Sequence, residues 1–322
     1  MKNLNASSRI MYTEAEKMGI KCTTFGDNET ILMEKDSKQW YVRGSRTSLQ
    51  SSVGKTIADY KPLTKNVLLH FGLPTARGLV VQSEAEVSTL SGLTFPLVMK
   101  PVDERHGKGV VVGIKTIEEA QNKFKEQTGR VLFEEMLEGT EYRIVCVDYQ
   151  FLAASFRKPA HVVGDGSKTI SELIAEKNKH PWRSSGHSNN LSLIEVDDMV
   201  RQYLAEQNLT EASIPESGRE VLLRKTANLS TGGEAWDVTD TVCAENKALF
   251  EQIARVCDLS IIGIDIMCSS LETPLLQQEK AGVIEVNASP GLRMHHFPMQ
   301  GTPRNVAAKI LQFCIQKVSP HV

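Results

Sequence analysis

The run Ile261-Ile262-Gly263-Ile264-Asp265-Ile266-Met267-Cys268 contains one charged residue. Its apolar continuity marks a strand. A carboxylate inside such a strand is costly unless something pairs with it. The chain must therefore fold so that another element brings Asp265 a partner. A candidate lies in GVIEVNASPGLRMHHFP at 282–298, where Val283, Ile284 and Val286 read as a second short buried strand. Alternation along a strand puts Glu285 and Asn287 on one face. Carboxylates with an amide oxygen are hard ligands, suited to a shared magnesium, with manganese as an alternative. The 282–298 stretch alone also fits a strand end turning into solvent, with Asn and Pro as turn residues.

At 322 residues the chain is too long for one small core and suits two or three packed lobes. The net charge of −2 gives no global pull toward nucleic acid, so any phosphate binding has to be local. The six cysteines (Cys22, Cys146, Cys243, Cys257, Cys268, Cys314) are scattered without a CxxC pair, and no His/Cys set has zinc spacing. They read as small core residues in a reducing compartment. The N-terminus lacks the apolar core of a signal peptide, and no apolar run approaches membrane-spanning length. A cytoplasmic protein without membrane partners is the expectation.

The pattern along the chain is mixed α+β. Residues 7–19 read as a helix with a Ser cap and a Gly stop, followed by short strands in IKCTTF, TILMEK and KQWYVRG. TSLQSSVGKTIADY and LTKNVLLHFGLPTA read as helices, the second ending at Gly72 and Pro74. A lobe boundary there gives an N-terminal α/β lobe over 1–73. Residues 74–138 read as a small lobe built around the glycine loop DERHGKG, and 139–322 as a C-terminal lobe. Thr116 and Glu119 have capping-box spacing before a helix. The stretch 157–195 reads as a long polar loop holding one good helix (169–178), and long loops in compact proteins are usually functional or disordered.

Several residues in this frame suit phosphate chemistry. Lys100 ends the strand PLVMK directly before DERHGKG, where Gly107 and Gly109 let backbone N–H groups approach a ligand and Lys108 adds charge. Neither Walker A nor Rossmann spacing is present, and a plain hairpin turn fits the same residues. VLFEEMLEGTEYRI ends a strand, turns at Gly139 and resumes, offering backbone groups to a purine edge and Glu141 to a ribose hydroxyl. A surface hairpin with exposed acids is the plainer alternative. Arg224, in LRKTANLSTGG, is suited to clamping a phosphoryl oxygen, or to an ordinary surface salt bridge. Arg157 and Arg293 suit substrate carboxylates, and His295 or His296 suits a place beside an incoming amine. A bracing role in the turn fits Arg293 and the histidines as well. Ser230, Gly232, Gly233 and Gly291 complete the expected wall of a small-molecule pocket.

In the order KPLTKNVLLHFGLP, PLVMKPVDERHGKGV, LFEEMLEGTEYR, LRKTANLSTGGEAWDVTD, GIDI and VIEVNASPGLRMHHFP, the chain resembles the ATP-grasp superfamily from about residue 47 to 317. It most resembles the ATP-grasp module of cyanophycin synthetase, then that of bifunctional glutathione synthetases. The resemblance implies three lobes, with ATP between the middle and C-terminal ones. It implies Lys61 and Lys100 on phosphates and His106 to Gly109 as the covering loop. Glu134, Glu135 and Leu137 would belong to the adenine hinge, with Glu141 on the ribose. Asp265, Glu285 and Asn287 match the metal ligands, and Arg224 the arginine on the transferring phosphoryl group. Tyr60 and Glu234 depart from the pattern, which usually has Asp and Thr there. The implied activity joins a carboxylate to an amine through an acyl phosphate, on amino acids or small peptides, in enzymes that are often dimers or tetramers. The other readings are a catalytically idle ATP-binding scaffold and a kinase that stops at the acyl phosphate.

Overall fold

The computed structural model describes residues 4–26, 29–102, 109–184 and 191–320. The first elements are α1 (Ala6–Lys17), β1 (Lys21–Phe25), β2 (Thr30–Lys35), β3 (Lys38–Arg43), β4 (Arg46–Thr47), α2 (Ser52–Asp59) and α3 (Lys61–His70). There follow β5 (Gly78–Val81), β6 (Leu97–Pro101), β7 (Val111–Ile114), α4 (Ile117–Lys125), β8 (Val131–Glu135), β9 (Thr140–Val147) and β10 (Gln150–Lys158). Next come β11 (His161–Val163), α5 (Ile170–Lys177), β12 (Arg183–Ser184), β13 (Leu191–Ser192), α6 (Asp198–Glu206), β14 (Glu220–Leu222) and β15 (Glu234–Asp237). The chain closes with α7 (Ala244–Val256), β16 (Ile261–Cys268), β17 (Gly282–Asn287), α8 (Arg293–His296) and α9 (Val306–Lys317).

Local chemistry sets most of these boundaries. α2 begins where the Ser51 side chain accepts the Gly54 N–H at 3.0 Å. α1 is capped by Asn5, which accepts the Ser8 N–H at 2.9 Å, and not by a serine. Thr116 caps α4 by accepting from the Glu119 N–H at 3.1 Å, but Glu119 turns to the Lys115 N–H, so the reciprocal half of the box is missing. The complete capping box belongs to Thr169 and Glu172 at the start of α5.

The backbone divides into two compact units. The first comprises Met1–Leu49, Ala153–Thr239 and Pro290–Val322. Its antiparallel sheet β1-β2-β3-β4 turns Ile31, Met33, Trp40 and Val42 inward. Helices α1 and α9 pack together, contributing buried Met11 and Ala15 from one and Ile310, Leu311 and Cys314 from the other. A separate core gathers Val162, Ile170, Leu173 and Ile174 with Ile194, Val200, Leu204, Val221 and Leu223. The stretch 157–195 is therefore not the long loop that its polar composition suggests. Its described residues form strands and a helix, because the apolar partners they need lie downstream, in α6 and β14.

The second unit comprises Gln50–Leu152 and Asp240–Ser289. It holds a four-stranded antiparallel sheet, β5-β8-β6-β7, over a core of Val81, Leu90, Leu97, Met99, Ile114, Ala120, Val131 and Phe133. In the same unit β16 lies between β9 and β17, antiparallel to both. α7 packs on β9 and β16, while α2 and α3 pack on β17. Every residue of β16 except Met267 is buried, which accounts for a run that is apolar but for Asp265. Among the described residues no helix is long and apolar enough to cross a membrane.

Candidate active site

Asp265 is 2% exposed, and its central strand gives it neighbours on both sides. Arg143 of β9 and Glu285 of β17 stand directly across from it. The Arg143 guanidinium grips the carboxylate in bidentate fashion, Nε to Oδ1 and Nη2 to Oδ2, the latter at 2.8 Å. Arg143 is the partner that the sequence demanded and did not identify. Two residues along β17, Asn287 Nδ2 donates to Glu285 Oε1 at 3.3 Å, which leaves Asn287 Oδ1 for a cation. Burial raises the pKa of Glu285, and the adjoining Asp265 carboxylate raises it further, with Arg143 opposing. A cation here would relieve that repulsion. Among the described residues no three His, Cys, Asp or Glu side chains form a metal-binding cluster. The chain would thus supply Asp265, Glu285 and Asn287 and leave the other positions to ligand oxygens and water, a pattern that suits magnesium.

The second feature of this unit is a buried ion cluster. Glu134 on β8 and Lys100 on β6 are diagonal neighbours on one face of the sheet and form an ion pair. Lys65 of α3 reaches the other oxygen of Glu134 at 2.6 Å and is itself 5% exposed. Burial opposes the charge on Glu134, but Lys100 and Lys65 together outweigh it and hold the carboxyl below its usual range. Lys61, the lysine expected on a phosphate, opens α3 and is half-buried. Lys65, one helical turn further on, is the residue that sequence reasoning missed. Its burial was not visible in the sequence, because a lysine at this spacing reads equally well as solvent-facing.

The segment after β8 follows. The N–H groups of Glu135, Met136 and Glu138 donate to the carbonyls of Arg77, Pro96 and Lys280, at 2.9, 3.2 and 2.9 Å. The Leu137 N–H has no hydrogen-bond partner among the described residues. An unpaired amide between paired neighbours is a ready donor to a ligand edge. Gly139 then turns at φ 118°, and a Cβ there would lie 2.4 Å from the Cys268 carbonyl, so only glycine fits. Glu141 follows on β9, across from Met267. His106, Gly107 and Lys108 lie outside the described residues, and Gly109 follows them with φ 71°.

The remaining candidates belong to the first unit. Arg157 sits on β10, across from Ala235, and is 9% exposed. His295 is buried with Nδ1 3.0 Å from Ser155 Oγ. Arg293 begins α8, where burial lowers its pKa. Arg224 is 8% exposed and pairs with Asp197, the cap of α6, at 2.7 Å. Ser230 lies in a short turn of 3₁₀ helix closed by Gly232 at φ 93°, and a Cβ on Gly232 would meet Ile194 at 2.6 Å. At Gly233 an added Cβ would meet the Asn228 carbonyl at 2.8 Å. Gly291 differs: a Cβ there meets nothing within 4 Å. The departure at Glu234 is also resolved, since Arg183 and Lys177 both contact its Oε1, at 2.7 and 2.8 Å.

His296 has a structural task. Its Nε2 accepts the Ala307 N–H at 3.1 Å in the first turn of α9. Burial lowers its pKa to about 4, so it is neutral at pH 7. Between pH 6.5 and about 4 the unfolded chain takes up a proton that the folded one resists, and stability falls as the pH drops through that window. The expected loss is on the order of 2–3 kcal/mol. Urea unfolding at pH 7.5, 6 and 5 tests this: His296→Gln, which keeps an acceptor and cannot titrate, should show a shallower decline than the wild type.

No family model matches the chain. It is 34% identical over 327 aligned positions to the cyanophycin synthetase of Crocosphaera subtropica, covering 99% of this chain and 37% of that protein. Against the glutathione biosynthesis bifunctional protein of Enterococcus faecalis the identity is 31% over 328 positions, covering 98% of this chain and 43% of that one. The crystal structure of a bifunctional glutathione synthetase from Pasteurella multocida superimposes with a TM-score of 0.79 at 28% identity, over 98% of this chain and 44% of that one. The chain thus spans less than half the length of these relatives. Over nearly its whole length the chain is thus similar, in sequence and in fold, to part of each of these two kinds of synthetase, and its α+β fold is that of the ATP-grasp ligases.

Proposed function

We propose that the chain is an ATP-dependent carboxylate–amine ligase that forms one amide or peptide bond between small substrates and releases ADP and phosphate. The observation that carries this reading is the acidic pair Asp265–Glu285 on adjacent strands, with Asn287 beside it and Arg143 fixing Asp265. Such a set suits the polyphosphate-bound magnesium of phosphoryl transfer better than a structural role, in which two buried carboxylates would face each other with one guanidinium to answer both.

In this reading a substrate carboxylate oxygen attacks the terminal phosphorus of ATP, the bond to the bridging oxygen breaks, and ADP leaves. An amine then attacks the acyl carbon, phosphate leaves, and the amine proton passes to solvent. When bound, magnesium neutralises phosphate charge. Leu137 offers its N–H to the purine and Glu141 a carboxylate to the ribose, while Glu134 and Glu135 shape the hinge. Lys61 and Lys100 carry charge toward the phosphates, and Gly109 lets the backbone approach them. In the first unit Arg224 stabilises the transferring group. Arg157 and Arg293 hold carboxylates, His295 lies near the amine, and the Ser230–Gly233 turn shapes the pocket. The protein's contribution is positioning and charge stabilisation, without a side-chain nucleophile. The three lobes at 1–73, 74–138 and 139–322, a cytoplasmic location and a homo-oligomeric state belong to the same proposal.

Phosphate release with single amino acids, with pairs, and with dipeptides tests the class. Release that requires two substrates, with one phosphate per bond and a product mass equal to both substrates minus water, is expected. Release with a carboxylate alone would identify the kinase reading, and no release with any pair the scaffold reading. A ladder of masses spaced by one residue, made by the purified protein alone, would show that it extends a chain and does not form one bond.

A further inference from the structure

In the first unit, Glu234 of β15 stands across from Lys158 of β10, and Ala235 across from Arg157. Side chains alternate along a strand, so Glu234 and Arg157 lie on opposite faces of this ribbon. The Glu234 side borders a cavity of about 340 Å³, lined by Glu176, Lys177, Lys179, His180, Arg183 and Glu234. Met299 supplies an apolar wall. That volume suits a ligand of amino-acid size.

The cavity's charges are unbalanced. Three cationic side chains face two carboxylates, an excess of one positive charge. Glu176 is engaged by Lys168 at 2.6 Å. A single oxygen, Glu234 Oε1, answers both Lys177 and Arg183. Lys177 has two further contacts, the carbonyl and Nε2 of His161 at 2.9 and 3.1 Å. Arg183 donates through Nη1 to the carbonyls of Ser192 and Gly232, at 2.8 and 3.0 Å. Its Nε–H is buried without a hydrogen-bond partner among the described residues, and the residue is 6% exposed. Lys179 is exposed and makes no ion pair among the described residues. Burial lowers the pKa of both Lys177 and Arg183, with Glu234 opposing.

We propose that this cavity is a second binding site, separate from Arg157, that takes a small monocarboxylate. One negative charge cancels the excess, whereas a multiply charged phosphate would meet Glu176 and Glu234 with charge to spare. A planar carboxylate suits the lysine and arginine that line it. Through Arg183 the site also touches the Ser230–Gly233 turn, because the same guanidinium holds the Gly232 carbonyl. The inference is independent of the ligase reading, and its test needs no turnover.

The probe is sodium propionate, followed by saturation-transfer NMR on the full chain without nucleotide, with melting curves to confirm folding. A saturable signal is expected from the wild type. Lys179→Glu, at an exposed position, should weaken binding about tenfold. A saturable signal should persist in Arg157→Ala, and adding Met299→Trp, which fills the cavity, should abolish what persists. Phosphate at equal concentration should not compete. The proposal is overturned by an absent signal, by a signal untouched in both folded cavity variants, or by one already lost in Arg157→Ala. Competition by phosphate would overturn the assignment to a monocarboxylate.

Discussion

The Glu285→Gln variant is expected to lose ligase turnover by at least about a thousandfold, roughly 4 kcal/mol of transition-state stabilisation, without losing its fold. The distinguishing feature is the sign of the stability change. Burial and Asp265 raise the Glu285 pKa in the folded protein. The folded state therefore favours the protonated acid, and stability from this group is full at low pH and declines as pH rises above the unfolded value. At pH 7, without divalent cation, neutral Gln should leave the melting temperature equal to or above that of the wild type. Added magnesium should raise the wild-type melting temperature and leave the variant's unchanged. A residue that merely braced the strand end would give the opposite result, with stability lost on substitution and no magnesium effect in either protein. Asp265→Asn should be equally inactive but less stable, because it unpairs the buried Arg143 guanidinium.

Lys65→Met should destabilise the protein by about 3–5 kcal/mol, the cost of breaking a buried ion cluster from one side. Lys65 and Glu134 are both nearly inaccessible, and Lys100 alone would be left to answer a carboxylate that two cations now share. Urea denaturation monitored by tryptophan fluorescence measures the loss. The double variant Lys65→Met/Glu134→Gln should recover part of it, because the buried negative charge goes as well. The lowered pKa of Glu134 gives a second signature. Its contribution to stability is complete above the ordinary carboxylate value of 4.5 and is lost as pH falls through the lower folded value. Lys65→Met should flatten that acid limb. A variant as stable as the wild type, with the same limb, would mean that the cluster carries no net stabilisation.

Much of the local structure was legible because its causes are local. The stop at Gly72 and the cap at Thr116 each depend on a few adjacent residues, and each is found where the chemistry puts it. The ATP-grasp fold was legible for a different reason: its motifs are spread from residue 47 to 317, and the similarity to the relatives likewise runs over nearly the whole chain. Asn5 in place of a serine, and Thr169–Glu172 in place of Thr116–Glu119 as the complete box, show how little separates competing caps.

The sequence by itself determined that Asp265 must be paired, because no strand so apolar can hold a bare carboxylate. It could not name Arg143, which lies 122 residues upstream and becomes a neighbour only when β9 pairs with β16. The same holds for Lys65, whose burial depends on how α3 meets the sheet carrying Glu134, and for 157–195, whose apolar residues find their core in segments further along the chain. Caps, turns and strand periodicity arise from interactions within a few residues, so a linear chain displays them. Partners of buried charge, and the core of a polar-looking stretch, are set by packing between distant segments, and only the tertiary structure decides them.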